Sequence, residues 1–397
     1  MATTDGQDGG TTDRISGLSD DLLHSILLRL GSTPEVARTS VLGRRRRRVW
    51  AALPELTFCY GDESPWSSEP VCRRIDHALA ACSAPAVDRL AISLPRTWTH
   101  FPMYRIARWL RFASQRLTGE LRLSMDPHNY HDRKAMVLPP CARATCIRLD
   151  LCGNTLRFEL ASGGAFTALS TLRIQQGCMD GRELEDVVSS RCPGLKELAL
   201  GSVFLEGAPS LCIRSDSLEH LEIFDDLGLR DDRLEVTAPK LRSLTIRCCL
   251  PDDTRIVAPM LSEVCWDGYL YDYDPSCHHL VDVGRHLRRL AIETNSPAAA
   301  LMKLFDTIED LDLTVDIPEG VKEYRSFLKD INNVAKCEVL LVTFIGEEHV
   351  FRPTMLHLLK KCTRIRKLEV FLGSSEDEEQ SFLSIALPLS LAREFYS

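Results

Sequence analysis

The 397-residue sequence contains no hydrophobic run that approaches the roughly 20 residues needed to cross a bilayer as a helix. The longest apolar stretches, Val339–Ile345 and Phe382–Ala392, are much shorter, and the second contains a proline. The N-terminal segment Met1–Asp13 is rich in glycine, threonine and aspartate and lacks the apolar centre of a signal peptide. We therefore expect a cytoplasmic or nuclear protein without a membrane partner.

The sequence also lacks an excess of positive charge and any paired-cysteine motif. Lysine and arginine total 48 against 56 acidic residues, a net charge of -8, so we expect no nucleic-acid partner. The 15 cysteines include no CxxC pair, which gives no support to a zinc-ribbon or a thioredoxin-like protein. They are typical of reduced, buried thiols in an intracellular protein.

Sequence motifs of catalysis are absent as well. There is no glycine-rich phosphate loop, no GxSxG and no HExxH. The densest group of possible metal ligands has spacing that fits no closed zinc site: Asp267, Asp272, Asp274, Cys277, His278 and His279. We expect no catalytic residues, no metal and no cofactor. The enzyme alternative would require a deep polar pocket with convergent titratable groups.

Residues 13–56 carry a helical pattern. Apolar residues recur every four positions at Leu18, Leu22, Ile26 and Leu30, with Leu23 and Leu27 beside them. Ser19 is placed to cap this helix, and Ser32 with Glu35 has the spacing of a second helix start. Val41 and Leu42 would be buried in the second helix, and a third would run through the arginines 44–48 to Trp50.

This small helical region has more apolar surface than its own core needs. Three helices in about 40 residues bury too little to be robust alone, so either a partner protein or the rest of the chain covers the remainder. The arginine run 44–48 is open to two interpretations. It is a nuclear-import or phosphate-binding run, or a helix face that meets an acidic partner.

The region resembles an F-box of the plant type. The likeness is carried by 13–23 (DRISGLSDDLL), 38–42 (RTSVL) and 49–54 (VWAALP). The family usually has proline at the position of Ser19 and tryptophan at the position of Arg46. Ser19 also starts a helix, whereas Arg46 in place of a large aromatic residue would either cost packing or, if the site is a buried anchor, weaken partner affinity by ~1–3 kcal/mol. The resemblance implies docking to a Skp-type adaptor through Leu18, Ser19, Leu22, Leu23, Ile26, Leu30, Val41, Leu42, Arg46 and Trp50.

From about residue 85 onward, a leucine-x-x-leucine-x-leucine pattern returns roughly every 20 to 26 residues, within the range of leucine-rich repeats. Clear copies are 169–174, 195–200, 218–223 and 241–246, whereas Leu121–Leu123 is a weaker one. The segments around Ala238–Leu241 and Ala258–Leu261 are too short for long helices and predict strand, proline turn and strand. Arg182–Arg191 predicts a helix.

This second region is similar to the leucine-rich repeats that follow the F-box in a large plant family, and 339–351 with 365–371 is similar to its C-terminal FBD segment. We therefore predict a mixed α/β chain with a three-helix F-box and a leucine-rich-repeat solenoid shaped like a horseshoe. Its divisions are a disordered N-terminus over 1–12, the F-box over 13–56, a linker with a first helical segment over 57–84, the solenoid over 85–335 and FBD-like repeats with a cap over 336–397.

Residues between the leucines of each repeat would face the inner curve of the solenoid. This predicts a target-binding surface that consists of Arg173, Glu197, His220, Glu222, Phe224, Arg247, Glu263, Asp267, Arg289, Glu293, Asp310 and Asp312. Acids outnumber bases in this set, so we expect a target with a basic patch and salt-sensitive binding.

The resemblance implies a non-catalytic subunit of a cullin–RING ubiquitin ligase. It would recognise a target protein and hold it near the ubiquitin-loaded enzyme, so that proximity replaces bond chemistry. The alternative is a ligase-independent leucine-rich-repeat scaffold, in which Arg46 has weakened adaptor docking. Neither the F-box nor the repeats identify the target.

Overall fold

A computed structural model of the chain describes residues 18–29, 33, 44–60, 68–94, 103–125, 134–159, 164–207, 210–225, 227, 233–247, 250–251, 253–266, 278–283, 287–293, 308–316, 337–345, 348–362 and 364–373. Within them the helices are α1 (Asp20–Leu28), α2 (Arg44–Ala51), α3 (Ser68–Ala81), α4 (Met103–Arg116), α5 (Gly181–Asp186, followed by one turn of π-helix over Val187–Arg191) and α6 (Glu348–Lys361). None of these helices is long and apolar enough to cross a membrane.

Strands dominate the rest of the described chain. They are β1 (Glu55–Cys59), β2 (Val87–Ser93), β3 (Leu117–Ser124), β4 (Ala135–Leu138), β5 (Cys146–Asp150), β6 (Thr155–Phe158), β7 (Thr171–Asp180), β8 (Glu197–Glu206), β9 (Ser210–Arg214) and β10 (His220–Phe224). They continue as β11 (Arg233–Thr237), β12 (Ser243–Arg247), β13 (Asp253–Val257), β14 (Glu263–Trp266), β15 (His278–Val281), β16 (Arg289–Glu293), β17 (Asp310–Asp316), β18 (Val339–Ile345) and β19 (Lys367–Gly373).

One long parallel sheet runs through the molecule. Its order is β1-β2-β3-β5-β7-β8-β10-β12-β14-β16-β17-β18-β19, and β4 and β6 join it beside β7. The leucines of successive repeats lie opposite one another, as Leu198, Leu221 and Leu244 do. All three are buried, so each coil adds a layer to one continuous apolar core. The predicted repeat solenoid is confirmed by this stacking.

A second, four-stranded parallel sheet packs behind the long one, in the order β15-β13-β11-β9. The strands are short because turns interrupt them, and two turns close with hydrogen bonds of 3.1 Å from Leu241 N to Ala238 O and from Leu261 N to Ala258 O. The chain is thus a solenoid made mostly of strands with few helices, more β-rich than a mixed α/β horseshoe.

Helix α5 fills the position between the short strands β6 and β9. Its Glu183 carboxylate accepts a hydrogen bond from Phe158 N at 3.1 Å and forms an ion pair with Arg157. Glu185 accepts a hydrogen bond from Cys212 N. The carboxylates of one short helix therefore satisfy backbone donors at the edges of the strands on both sides.

The front of the chain shows two helices, α1 and α2, within the described residues. The predicted second helix falls on residues 30–43, of which only Thr33 is described, so the three-helix F-box is not established. Leu23 and Leu27 on α1 pack with Val49 and Leu53 in a small separate core.

The front helices are joined closely to the solenoid. Helix α2 leads directly into β1, which pairs in parallel with β2 as the first strand of the long sheet. Ser83 N donates to Ala51 O at 2.7 Å, and Thr57 N donates to Thr33 Oγ1 at 2.8 Å. The long sheet therefore begins at Glu55, within the segment assigned to the F-box; the domain boundaries themselves stay predictions.

Candidate protein-interaction surfaces

Helix α1 begins at a serine cap. Ser19 Oγ accepts a hydrogen bond from Leu22 N at 3.4 Å, and its carbonyl accepts one from Leu23 N at 3.0 Å. Asp20 and Asp21 lie in the first turn, where the positive end of the helix dipole favours acidic residues. The cap predicted at Ser19 is thus present.

The two sides of α1 differ in burial. Leu23 is buried in the small front core, whereas Leu22 is 54% exposed and Ile26 is 48% exposed. Leu28 is also exposed but projects from a different side of the helix, because it lies only two residues beyond Ile26. We call Leu22 and Ile26 the front strip. Exposure of neighbouring leucine and isoleucine side chains to water is unfavourable, and burial against a partner would remove this cost. The front strip therefore has the character of a docking surface.

The remaining front residues take several positions. Leu18 is partly buried against the small front core. Trp50 packs against both this core and the main core, and its buried Nε1 has no hydrogen-bond partner among the described residues. The backbone of Arg46 is part of α2, but its side chain is not among the described atoms. Leu30, Val41 and Leu42 lie outside the described residues.

The face of the long sheet that points away from the core is the second candidate surface, which we call the open face. The strands bring ten of the predicted target-binding residues to it in register: Arg173, Glu197, His220, Glu222, Phe224, Arg247, Glu263, Arg289, Asp310 and Asp312. Asp267 and the side chain of Glu293 lie outside the described residues.

Arg173 organises the centre of the open face. It lies opposite Ala199 on β8, and because alanine is small, its side chain crosses that strand to β10. There its Nη2 donates to Glu222 Oε2 at 3.0 Å, and its guanidinium carbon lies 5.4 Å from the centre of the Phe224 ring. This cation–π contact and the ion pair fix the guanidinium group.

A depression of about 270 Å³ lies beside Arg173. The charged residues and histidine that line it are Arg148, Arg173, Glu197, His220, Glu222 and Arg247, and Thr171 lines it as well. Thr171 Oγ1 donates to Glu197 Oε2 at 3.2 Å, so the lining is partly ordered by its own hydrogen bonds. The depression is polar, and its size suits one side chain of a bound protein.

Sequence analysis missed the basic residues at the N-terminal end of the open face. Arg89, Arg122 and Arg148 lie on β2, β3 and β5, and the register places Arg122 opposite Arg148 and Arg148 opposite Arg173. The pattern contained the signal, because Arg122 lies between the leucines of the weak repeat Leu121–Leu123. The acidic character expected of the surface belongs to its other end.

The described residues contain no group of three or more histidine, cysteine, aspartate or glutamate side chains placed to hold a metal ion. Burial raises the pKa of the Cys141 and Cys192 thiols to about 12, which keeps them protonated and poorly nucleophilic. Near the open face, the Lys196 ammonium at 3.1 Å lowers the pKa of Glu219.

Comparisons with known proteins agree with this architecture. The family model described as "FBD-associated F-box protein At5g56370, LRR repeats" matches residues 106–315. The probable FBD-associated F-box protein At1g32375 of Arabidopsis thaliana is 27% identical over 218 residues, 54% of this chain and 50% of that protein.

Two further Arabidopsis thaliana relatives differ in the extent of the match. The putative FBD-associated F-box protein At5g56390 is 26% identical over 248 residues, 59% of this chain and 55% of that protein. F-box/LRR-repeat protein 13 is 27% identical over 397 residues, 94% of this chain and 79% of that protein. The chain thus spans about half the length of the first two relatives.

None of these three relatives is named as an enzyme. The names instead combine the three elements that the sequence analysis predicts, an F-box, leucine-rich repeats and an FBD segment. Because the family model matches more than half of the residues and the stacked strands reproduce its repeats, the chain belongs to the plant family of FBD-associated F-box proteins with leucine-rich repeats.

Proposed function

We propose that this chain is the substrate-recognition adaptor of an SCF-type E3 ubiquitin ligase. In this proposal the front helices dock a Skp-type adaptor, and through it a cullin–RING ligase, while the open face binds a target protein for ubiquitination. The chain itself performs no bond chemistry and acts in the cytoplasm or nucleus by raising the local concentration of the target.

The observation that carries the proposal is the split burial of α1. Leu23 and Leu27 hold the helix on the chain's own core, while Leu22 and Ile26 remain about half exposed. Burying two such side chains against a partner would contribute several kcal/mol, at about 1.5–3 kcal/mol for each fully buried residue. Leu23 therefore supports the docking surface from inside, and Leu22 and Ile26 form its contacts.

A capture experiment with a purified plant Skp-type adaptor tests the docking. We expect the native chain to capture the adaptor and the double variant Leu22→Asp/Ile26→Asp to lose capture, since two charges would be buried at the interface. Met260→Asp is the matched control, because Met260 is 47% exposed on a turn between repeats. Equal capture by the native chain and the double variant would reject docking through the front strip.

The second candidate function is a ligase-independent scaffold, and Arg46 is the residue that favours it. Arg46 replaces the tryptophan usual in the family, on the helix whose Val49 packs against α1. If this replacement has disabled docking, the native chain will not capture the adaptor, and Arg46→Trp will. Capture by both chains with similar affinity favours the ligase adaptor.

A further inference from the structure

A row of arginines runs across three neighbouring strands of the open face. Arg122 on β3, Arg148 on β5 and Arg173 on β7 occupy directly opposite positions in the parallel register. Neighbouring strands lie about 4.8 Å apart, so three positive side chains leave the sheet side by side. Like charges in opposite positions destabilise a sheet, so this row costs folding free energy unless an anion offsets it.

Acidic residues of the chain neutralise this row only in part. Glu120 is shared, with its carboxylate 2.9 Å from Arg148 Nη1 and 3.3 Å from Arg89 Nε. Arg122 is exposed and has no ion-pair partner among the described residues. Arg148 and Arg89 therefore share one carboxylate through its two oxygens, and Arg122 has none among the described residues. Asp150, two residues after Arg148 on β5, adds one more acidic side chain to the same face.

Arg173 adds an unused hydrogen-bond donor at the end of the row. Its Nη2 is bound to Glu222, but its Nε is buried and has no partner among the described residues. A buried donor without an acceptor costs about 1–3 kcal/mol. The guanidinium group of Arg173 also lines the depression of about 270 Å³, together with Arg148, Arg247 and the carboxylates of Glu197 and Glu222.

The opposite end of the open face has the reverse charge. Glu263, Asp310, Asp312 and Glu369 project from β14, β17 and β19, against Arg289 and Lys367. An acidic ligand would be repelled there and attracted to the arginines of β3, β5 and β7. The charge on the open face therefore changes sign from one end of the sheet to the other, and its N-terminal end favours a negatively charged ligand.

We propose that the open face over β3, β5 and β7 binds an acidic segment of a partner protein. Carboxylates of that segment pair with Arg122 and Arg148, and one enters the depression beside Arg173. The proposal rests on the proposed function and extends it, because it states that the part of the target bound at this end of the open face is negatively charged. It requires the open face to bind a protein but does not require adaptor docking.

The test uses the full chain and a fluorescein-labelled peptide of alternating glutamate and glycine, with binding followed by fluorescence anisotropy in low salt. We expect the native chain to bind this probe, and the double variant Arg122→Gln/Arg148→Gln to bind it about tenfold or more weakly. Both side chains are exposed, so folding should be retained, and circular dichroism checks this.

The matched control removes the same charge from the other face of the molecule. Arg233 and Arg255 are exposed on β11 and β13 of the second sheet, so Arg233→Gln/Arg255→Gln should leave the affinity for the probe unchanged. Absence of binding to the native chain would overturn the proposal. An equal loss of affinity in both double variants, or no loss in the open-face variant, would do so too.

Adaptor capture with the same native preparation separates this proposal from the proposed function. If capture fails while the glutamate probe behaves as expected, ligase membership is wrong and the acidic-ligand site stands. If capture succeeds and the probe shows any of the overturning results, only the acidic-ligand site is rejected.

Discussion

The ring of Phe224 on β10 lies against Gly201 on β8, in the space that a Cβ atom at residue 201 would occupy. The missing side chain at Gly201 therefore leaves room for the ring on the open face, where Arg173 packs over it. One glycine in a strand thus determines the position of an aromatic ring and of a guanidinium group at the candidate target site.

Substitution of Gly201 by alanine should displace the Phe224 ring. We expect Gly201→Ala to lower the free energy of unfolding by about 1–3 kcal/mol, the usual cost of overpacking, as measured by urea denaturation. In a Phe224→Ala background the same substitution should be nearly neutral, because the overlapping ring is gone. Additive effects of the two substitutions would show that the ring does not depend on Gly201.

Removal of the Asp76 carboxylate should strongly destabilise the chain. Asp76 binds the buried Arg105 through one oxygen and accepts a hydrogen bond from Trp109 Nε1 at 2.8 Å through the other. Asp76→Ala would leave Arg105 as a buried charge with only Glu69 as an acidic partner, at a cost of about 3–5 kcal/mol. Thermal or urea unfolding measures this loss.

The control for Asp76 is the neighbouring exposed ion pair. Arg73 Nε lies 3.5 Å from Glu69 Oε1, and both side chains are more than half exposed. Arg73→Ala should therefore change the free energy of unfolding by less than about 1 kcal/mol. A similar loss for both variants would contradict a special role for the buried pair.

The acceptor on α5 should matter for the edge of the second sheet. Glu185→Ala leaves the amide of Cys212 without its acceptor, which should lower the free energy of unfolding by about 1–3 kcal/mol. Glu185→Gln keeps a carbonyl oxygen at the same place and should retain most of the stability. If both variants lose equally, the negative charge of Glu185 matters and its acceptor does not.

Alkylation should distinguish exposed thiols from buried ones. Burial raises the pKa of Cys72 to about 11 and that of Cys192 to about 12, so at pH 8 both remain protonated and unreactive. Cys59 is exposed and should react with iodoacetamide before Cys72 and Cys192, as peptide mass spectrometry would show. In urea all these thiols should react at similar rates; rapid labelling of Cys72 or Cys192 in the native chain would contradict their burial.

The same pKa shifts predict a loss of stability at high pH. A thiol whose pKa is raised by folding stays protonated in the native chain after it has ionised in the unfolded one. Its contribution is therefore complete below the ordinary pKa of 9.0 and declines as the pH rises toward about 11 to 12. Cys192→Ala should reduce this decline in denaturation experiments.

The leucine spacing predicted the long sheet and its register. Side chains alternate between the two faces of a strand, so burial of every second residue fixes which face points toward the core. The same rule placed Glu222 and Arg247 on the open face. Arg89, Arg122 and Arg148 also lie between apolar residues of their strands and follow the same rule, but they were missed as members of this face. The Arg105–Asp76 pair was also missed, because it depends on how α4 packs on α3, which no local pattern encodes.

Helix α2 is followed after three residues by β1, so the front helices are attached to the first strand of the long sheet. Along the sheet, each further strand lies about 4.8 Å farther from the front helices. In the proposed ligase, a ligand held near β3 and one held near β17 would thus present different lysines to the incoming ubiquitin. The lysine that is modified would then depend on where along the solenoid the ligand binds. A more flexible connection between α2 and β1 would reduce this selectivity without weakening adaptor docking or ligand binding.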